Sequence, residues 1–231
     1  MKYVISLALG LLNGSLLFFA GLYFNPFTGQ ASVSPLAVTT DRVVDLSFSA
    51  VPGEAILYTY HGEAIIRPHP EWVAELWEPA VYNTNVFVTM LQDRLGGAAG
   101  IGIKMQSHSE DTALISGQVL ANSIWHIYLP GQGTMMIDQS ENYWAYIRDV
   151  TIPARMNSGD NWLGTFHRVM TSGPGSVGTA RVSGSSGDFA GITTESVESL
   201  TVNNYSPATG PVSMEGNLTI AMPQPHVAPR E

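Results

Sequence analysis

Cysteine is missing altogether from this 231-residue chain. That excludes disulfides, a thiolate nucleophile, a Cys-ligated zinc or iron–sulfur centre, and attachment through a lipidated N-terminal cysteine. It does not fix a compartment, because an oxidising space permits disulfides without requiring them. Charge is scarce as well: Asp, Glu, Lys and Arg together make up 13% of the residues. The net charge is −9 and no run of Lys or Arg occurs, so no nucleic-acid partner is expected, since neutralising phosphates needs a basic patch. An acidic surface also disfavours electrostatic adsorption to anionic lipid.

Reaction signatures are missing too. There is no G-x-S-x-G elbow for a hydrolase. The glycine cluster from Leu95 to Gly100 lacks the Lys-Ser/Thr pair and the following helix of a phosphate loop, so it reads as an ordinary loop. The six histidines are His61, His69, His108, His126, His167 and His226. They form no HxH or HExxH pair, and no metal site or cofactor is expected. The remaining route to a metal site is convergence of His61, His126 and His167, each in the middle of a strand-like run.

What the chain does contain is one long apolar run and many turns. Val4 to Phe24 carries no charge, and at 1.5 Å rise per residue it spans roughly 30 Å, the thickness of a bilayer's hydrocarbon core. Asn13 and Gly14 sit near its middle, where a polar and a small residue mark a close helix–helix contact. Lys2 precedes the run, and no Lys or Arg follows before Arg42, which places the N-terminus inside and the rest outside the cytoplasm. In a bacterium this describes a single-pass inner-membrane protein whose globular part lies on the periplasmic side. A cleaved signal peptide competes with this reading. The run exceeds the usual length of such a segment, and no small-x-small site follows it directly. The organisation expected is a transmembrane anchor over 1–24, a tether over 25–34, one domain over 35–222 and a Pro-rich tail over 223–231.

Glycine (23) and proline (14) punctuate the domain. Turns recur every ten to twenty residues and separate short alternating or apolar runs. This favours an antiparallel sandwich or closed barrel over βαβ units. Strands are expected around 43–48, 55–66, 85–91, 101–106, within 114–129, and over 134–139, 143–152, 162–170, 177–183, 189–202 and 212–222. The one helix expected outside the anchor runs from Pro68 to Pro79. Its Trp72, Val73, Leu76 and Trp77 make a single apolar stripe, and Pro70 suits the first turn. That stripe packs on the sheet, or else Trp72 and Trp77 meet a partner.

Gly178 to Ile192 reads as two strands joined by a turn at Gly184, Ser185, Ser186 and Gly187. The run Val182-Ser-Gly184-Ser-Ser-Gly187-Asp-Phe189-Ala-Gly191 resembles the hairpin motif of the allene oxide cyclase and dirigent barrel superfamily, typically Val-x-Gly-Gly-Thr-Gly-x-Phe-x-x-Ala-x-Gly. Gly184, Gly187 and Phe189 match, while Ser185 and Ser186 replace the second Gly and the Thr. The resemblance covers about residues 160–220. It implies an eight-stranded antiparallel barrel with an apolar cavity, used in that superfamily for cyclising small hydrophobic molecules or guiding their coupling. None of the superfamily's catalytic residues has a matching motif here.

Two groups of side chains are candidates for chemistry. Asp138, Glu141 and Asp149 surround one expected hairpin, where carboxylates on opposing strands can share a proton; solvated turn positions are the alternative. The aromatic group includes Trp125, Trp144 and Tyr146. With Tyr143 to Ile152 extended, Trp144, Tyr146 and Arg148 share one face, and with Trp125 and His126 they line a pocket for an apolar small molecule. The same aromatics would otherwise fill a small barrel. With no reaction motif, the expected role is an anchored accessory subunit of a membrane complex or a carrier of a hydrophobic small molecule, needing no cofactor. Its contacts would be the bilayer over residues 4–24 and integral-membrane subunits at Asn13, Gly14, Trp72 and Trp77. The enzymatic alternative is a cofactor-free cyclase or isomerase of an apolar substrate.

Overall fold

A computed structural model describes residues 2–24, 43–51, 58–60, 63–65, 84–157 and 159–223. The chain opens with helix α1 (Lys2–Tyr23), whose segment Tyr3–Tyr23 is long and apolar enough to cross a membrane and is 0% buried. Such a helix is consistent with a membrane anchor or a signal sequence. The expected helix from Pro68 to Pro79, with Trp72 and Trp77, lies outside the described residues.

Among the described residues twelve strands follow: β1 (Val43–Ser49), β2 (Tyr58–Tyr60), β3 (Glu63–Ile65), β4 (Thr84–Gln92), β5 (Ala98–His108), β6 (Leu120–Leu129), β7 (Gly133–Asn142), β8 (Trp162–Val169), β9 (Thr171–Gly173), β10 (Ala180–Gly187), β11 (Thr193–Ser206) and β12 (Gly210–Ala221). β2 and β3 pair with each other as a small hairpin, where the sequence suggested one continuous strand over 55–66. Eight others form an antiparallel ring in the order β10-β11-β12-β1-β4-β5-β6-β7, and β7 pairs back onto β10 to close it. One stave of this barrel is split. The first part of β11 pairs with β10, from Ser196↔Ala180 to Thr193↔Ser183, and its later part pairs with β8, from Ser199↔Val169 to Tyr205↔Trp162. The far end of β7 pairs with β9. Residues 162–173 thus continue the line of β10.

Period-two alternation sorts side chains to the two sides of the wall. Along β6, Ala121, Ser123, Trp125, Ile127 and Leu129 are buried and the residues between them are exposed. The inward residues of the ring build one core around Leu46, Phe48, Leu91, Trp125, Ile137, Val182, Leu218 and Ile220. Burying side chains of this size contributes roughly 1.5–3 kcal/mol each. Glycines make room for the rings. A Cβ on Gly216 would stand 2.1 Å from Phe48 Cζ, and one on Gly102 would stand 2.8 Å from the Trp125 ring. The Phe48 and Trp125 ring centroids are 4.8 Å apart, edge to face.

Two expectations are corrected here. Residues 144–156 are helical and not a strand: an α turn at Trp144–Tyr146, a π segment at Ile147–Thr151 and an α turn at Ile152–Met156. Asn142 is the local cause. Its Oδ1 accepts from the Trp144 N–H (3.0 Å) and the Val119 N–H (3.2 Å), and its Nδ2 donates to the Gly117 carbonyl (3.2 Å). The backbone is thereby turned at the strand end and its first free N–H is satisfied, as a helix cap does. The helical segment packs its Val150 and Ala154 against Phe166, Met170, Leu200, Val202 and Tyr205, forming a second core.

The second correction concerns Gly184 to Gly187. These residues extend β10 along β7, with a bulge between Gly184 and Ser186, and the reversal falls later, between Gly187 and Thr193. The glycines serve close approach. A Cβ on Gly184 would lie 1.6 Å from the Phe189 carbonyl oxygen, and one on Gly187 would lie 2.1 Å from that of Gln132.

Candidate functional site

Five residues were expected to line one pocket, and the structure separates them. Trp125 points into the barrel and is 0% exposed. His126, next to it on β6, points outward and is exposed. Trp144 is buried at the start of the helical segment. Tyr146 sits in the second core, its ring centroid 6.0 Å from Phe166 and 6.2 Å from Tyr205. Burial, then the neighbouring Tyr205, pushes its hydroxyl up to about 12. Arg148 is paired with its neighbour Asp149 through Nε (2.6 Å) and Nη2 (2.8 Å). Because 144–148 is helical, residues two apart point in different directions, and the common face never forms.

The three carboxylates are dispersed as well. Asp138 is exposed on the outside of β7, Asp149 is on the helical segment, and Glu141 alone enters the barrel. His167 is exposed on β8, with Nδ1 2.8 Å from Thr201 Oγ1, on a strand that is not a neighbour of His126's β6. His61 lies outside the described residues. Among the described residues, no group of three His, Asp or Glu side chains could hold a metal ion. Asn13 and Gly14 are exposed on α1, and among the described residues nothing outside the adjoining helix backbone lies within 4 Å of a Cβ built on Gly14.

The interior holds a charged cluster that the sequence did not single out. Lys104 of β5 donates to Glu141 Oε1 of β7 at 2.7 Å and to Glu198 Oε1 of β11 at 2.8 Å. The three residues are 6%, 0% and 3% exposed. Glu198 Oε2 accepts from Trp125 Nε1 at 2.9 Å and also from Gln139 Nε2. Glu141 accepts from Ser123 Oγ at 2.7 Å and from the Tyr143 hydroxyl at 3.1 Å. Thr171 of β9 donates to Gln139 Oε1 and accepts from the Glu198 backbone N–H, which ties the split stave to the cluster.

Burial disfavours the ammonium of Lys104, yet the two carboxylates beside it outweigh that and hold it well above its ordinary value. Glu141 is raised above 4.5, chiefly by burial and then by the charge of Glu198, with Lys104 opposing. The charge of Glu198 beside the same cation makes ionising Glu141 costly. Glu141's neighbours include two hydroxyls, which can accept as well as donate, so a proton on its carboxyl finds a partner. Burial also pushes the Tyr143 hydroxyl up, helped by Glu141.

This cluster is chemically saturated. Lys104 has three donors: two meet the carboxylates, and its Nζ stands 5.4 Å from the Trp125 ring centroid. Beside it the Phe48 and Phe87 rings pack against Trp125 at 4.8 and 6.5 Å between centroids. The arrangement ties β5, β6, β7, β9 and β11 to one another.

The outer wall is unusual in a different way. On β4, β5 and β6 the only Lys, Arg, Asp or Glu is Lys104, which points inward. Outward positions there are apolar: Val86 and Met90 are 52% and 49% exposed, and Ile101 and Tyr128 are each 50% exposed. Ile103, Met105, Ile124 and, on β7, Met136 are exposed beside them. Register makes these neighbours. Val86 is opposite Met105, Met90 opposite Ile101, Ile101 opposite Tyr128, Met105 opposite Ile124, and His126 lies between Ile103 and Met136. The result is one apolar face centred on β4–β6, and at its β7 border Asp138, opposite Ile124, points outward beside Met136. The rest of the wall carries the charges, including Asp45 paired with Arg94 (2.7 Å), Arg181, Glu195 and Glu215. No family model and no curated protein matches the chain.

Proposed function

We propose that this chain is a membrane-anchored subunit that binds protein through the apolar wall centred on β4–β6, with its barrel on the extracytoplasmic side of an inner membrane. The observation that carries the reading is that wall. Eight apolar or aromatic residues are exposed on it side by side, a contiguous patch of the kind that marks a protein interaction site. Three of its residues are methionines, whose flexible thioethers adapt to a partner surface. The apolar helix α1 and the single Lys before it support the anchor and its orientation.

The test is gentle extraction of the full chain from its native membrane, followed by native mass measurement, with Ile103→Glu as the comparison. The wild type should run with bound protein subunits, and a glutamate in the middle of the face should release them. Single chains carrying a lipid-like molecule would overturn the reading. So would recovery of the chain from the soluble fraction with its first residues removed, as far as the anchor is concerned.

A further inference from the structure

We infer that the occupant of the apolar face centred on β4–β6 is the same face of a second copy of this chain. The inference rests on the reading of that wall as a protein interface and names the partner. Its first ground is electrostatic. The chain carries −9 overall, so most orientations of two copies bring like charge together. Outward positions of β4, β5 and β6 carry no Asp, Glu, Lys or Arg. Asp138, at the β7 border, has Arg181 directly opposite it on β10, so a contact centred on β4–β6 keeps charge at its edge, and the charged wall of Asp45, Glu195 and Glu215 stays in water. A two-fold contact requires a surface complementary to itself, and an uncharged apolar face meets that condition without matched donors and acceptors.

The second ground is size. Eight contiguous apolar or aromatic residues supply the centre of a standard stable interface, which buries ~800 Å² per partner. Weak crystal-type contacts are smaller and wet. The composition is also that of an interface centre: Met, Ile and an aromatic at Tyr128, with charges displaced to the surroundings. The third ground is α1. Copies held by this helix in one membrane are confined to a layer with the same orientation, which raises their effective concentration. The helix leaves Asn13 and Gly14 exposed at mid-length, where a polar side chain and a small residue suit a second identical helix.

The absence of native cysteine makes the test clean. Full chains carrying His126→Cys, at the centre of the face, or Glu215→Cys, on the charged wall, are treated in mild detergent with a short bismaleimide. His126→Cys should give a covalent pair of chains and Glu215→Cys should not. Adding Ile103→Glu should lower the yield of the His126→Cys product at least tenfold and shift the uncross-linked chain from two copies to one by native mass. Ile103 faces outward, so this change leaves the core intact. A thermal melt equal to that of the wild type verifies this. In native membranes, attachment of His126→Cys to a different protein would overturn the self-association and leave the interface reading standing. Single copies without any product at residue 126, in membrane or detergent, would overturn both. Pairs that survive Ile103→Glu would overturn the inference by placing the contact elsewhere.

Discussion

Lys104 Nζ lies 2.8 Å from Glu198 Oε1, although 94 residues separate them in the chain. The contact is made between side chains buried inside the barrel, with Glu141 at 2.7 Å from the same ammonium. Removing one member of a buried pair leaves the other charge without compensation, which costs about 3–5 kcal/mol. Lys104→Met should destabilise the barrel by that amount, measured by thermal unfolding followed through tryptophan fluorescence. The double variant Lys104→Met/Glu198→Gln should recover part of the loss, because it removes the orphaned charge. Equal melting of Lys104→Met and wild type would show that the cluster is not intact.

The proton on Glu141 gives a pH signature of defined sign. A carboxyl whose pKa is raised by folding binds its proton more tightly in the native state. Its contribution to stability is fully present below the ordinary value of 4.5 and is lost as pH rises through the native value. The difference in unfolding free energy between wild type and Glu141→Gln should therefore shift against the wild type as pH rises from about 4.5 upwards. Melting temperatures of both proteins across that range measure it. A difference independent of pH would mean that Glu141 is ionised in the barrel.

Asn142 joins a strand end to a helix start through three hydrogen bonds. Asn142→Ala leaves the N–H groups of Val119 and Trp144 unsatisfied. The expected loss is about 1–3 kcal/mol, with a weakened near-ultraviolet circular dichroism signal from Trp144. Unchanged near-ultraviolet signal and stability would count against the capping role.

Glycine substitutions should separate two effects. Gly210 has φ +84 and open space around it, so Gly210→Ala incurs only backbone strain, about 1 kcal/mol. Gly184→Ala must push the Phe189 carbonyl away from a position 1.6 Å from the new carbon. It should cost more than Gly210→Ala and loosen the turn that follows β10, which hydrogen exchange at Gly191 and Ile192 would report.

Period-two alternation carried most of the architecture in the sequence. It located β1, whose Leu46 and Phe48 face inward and whose Asp45 and Ser47 face outward, while β4 and β6 were marked by apolar runs between turns. It misled at 144–156, where Trp, Tyr and Ile favour a strand by propensity while a single Asn142 side chain sets the backbone turning. It was silent about the interior cluster because each member is one charge on an otherwise apolar parity. Glu141 shares a face with Met135 and Ile137, and Glu198 shares one with Leu200 and Val202. That isolated charge on the apolar face of a strand was a usable signal. Its partner was not, since pairing β5 with β7 and β11 across the barrel is a property of ring closure. The outer wall was also legible in part, as the absence of charge from three consecutive strands.

The ring joins Val43 to Ala221, so the first wall strand has its permanent neighbour only when the last has been made. Closing a loop of that span is slow, and contacts so distant in sequence form late. A ribosome still holding the C-terminal strand therefore holds a barrel with a missing stave. The ring stays open until residues 210–221 are in place, so the wall closes in one late step instead of growing shut strand by strand.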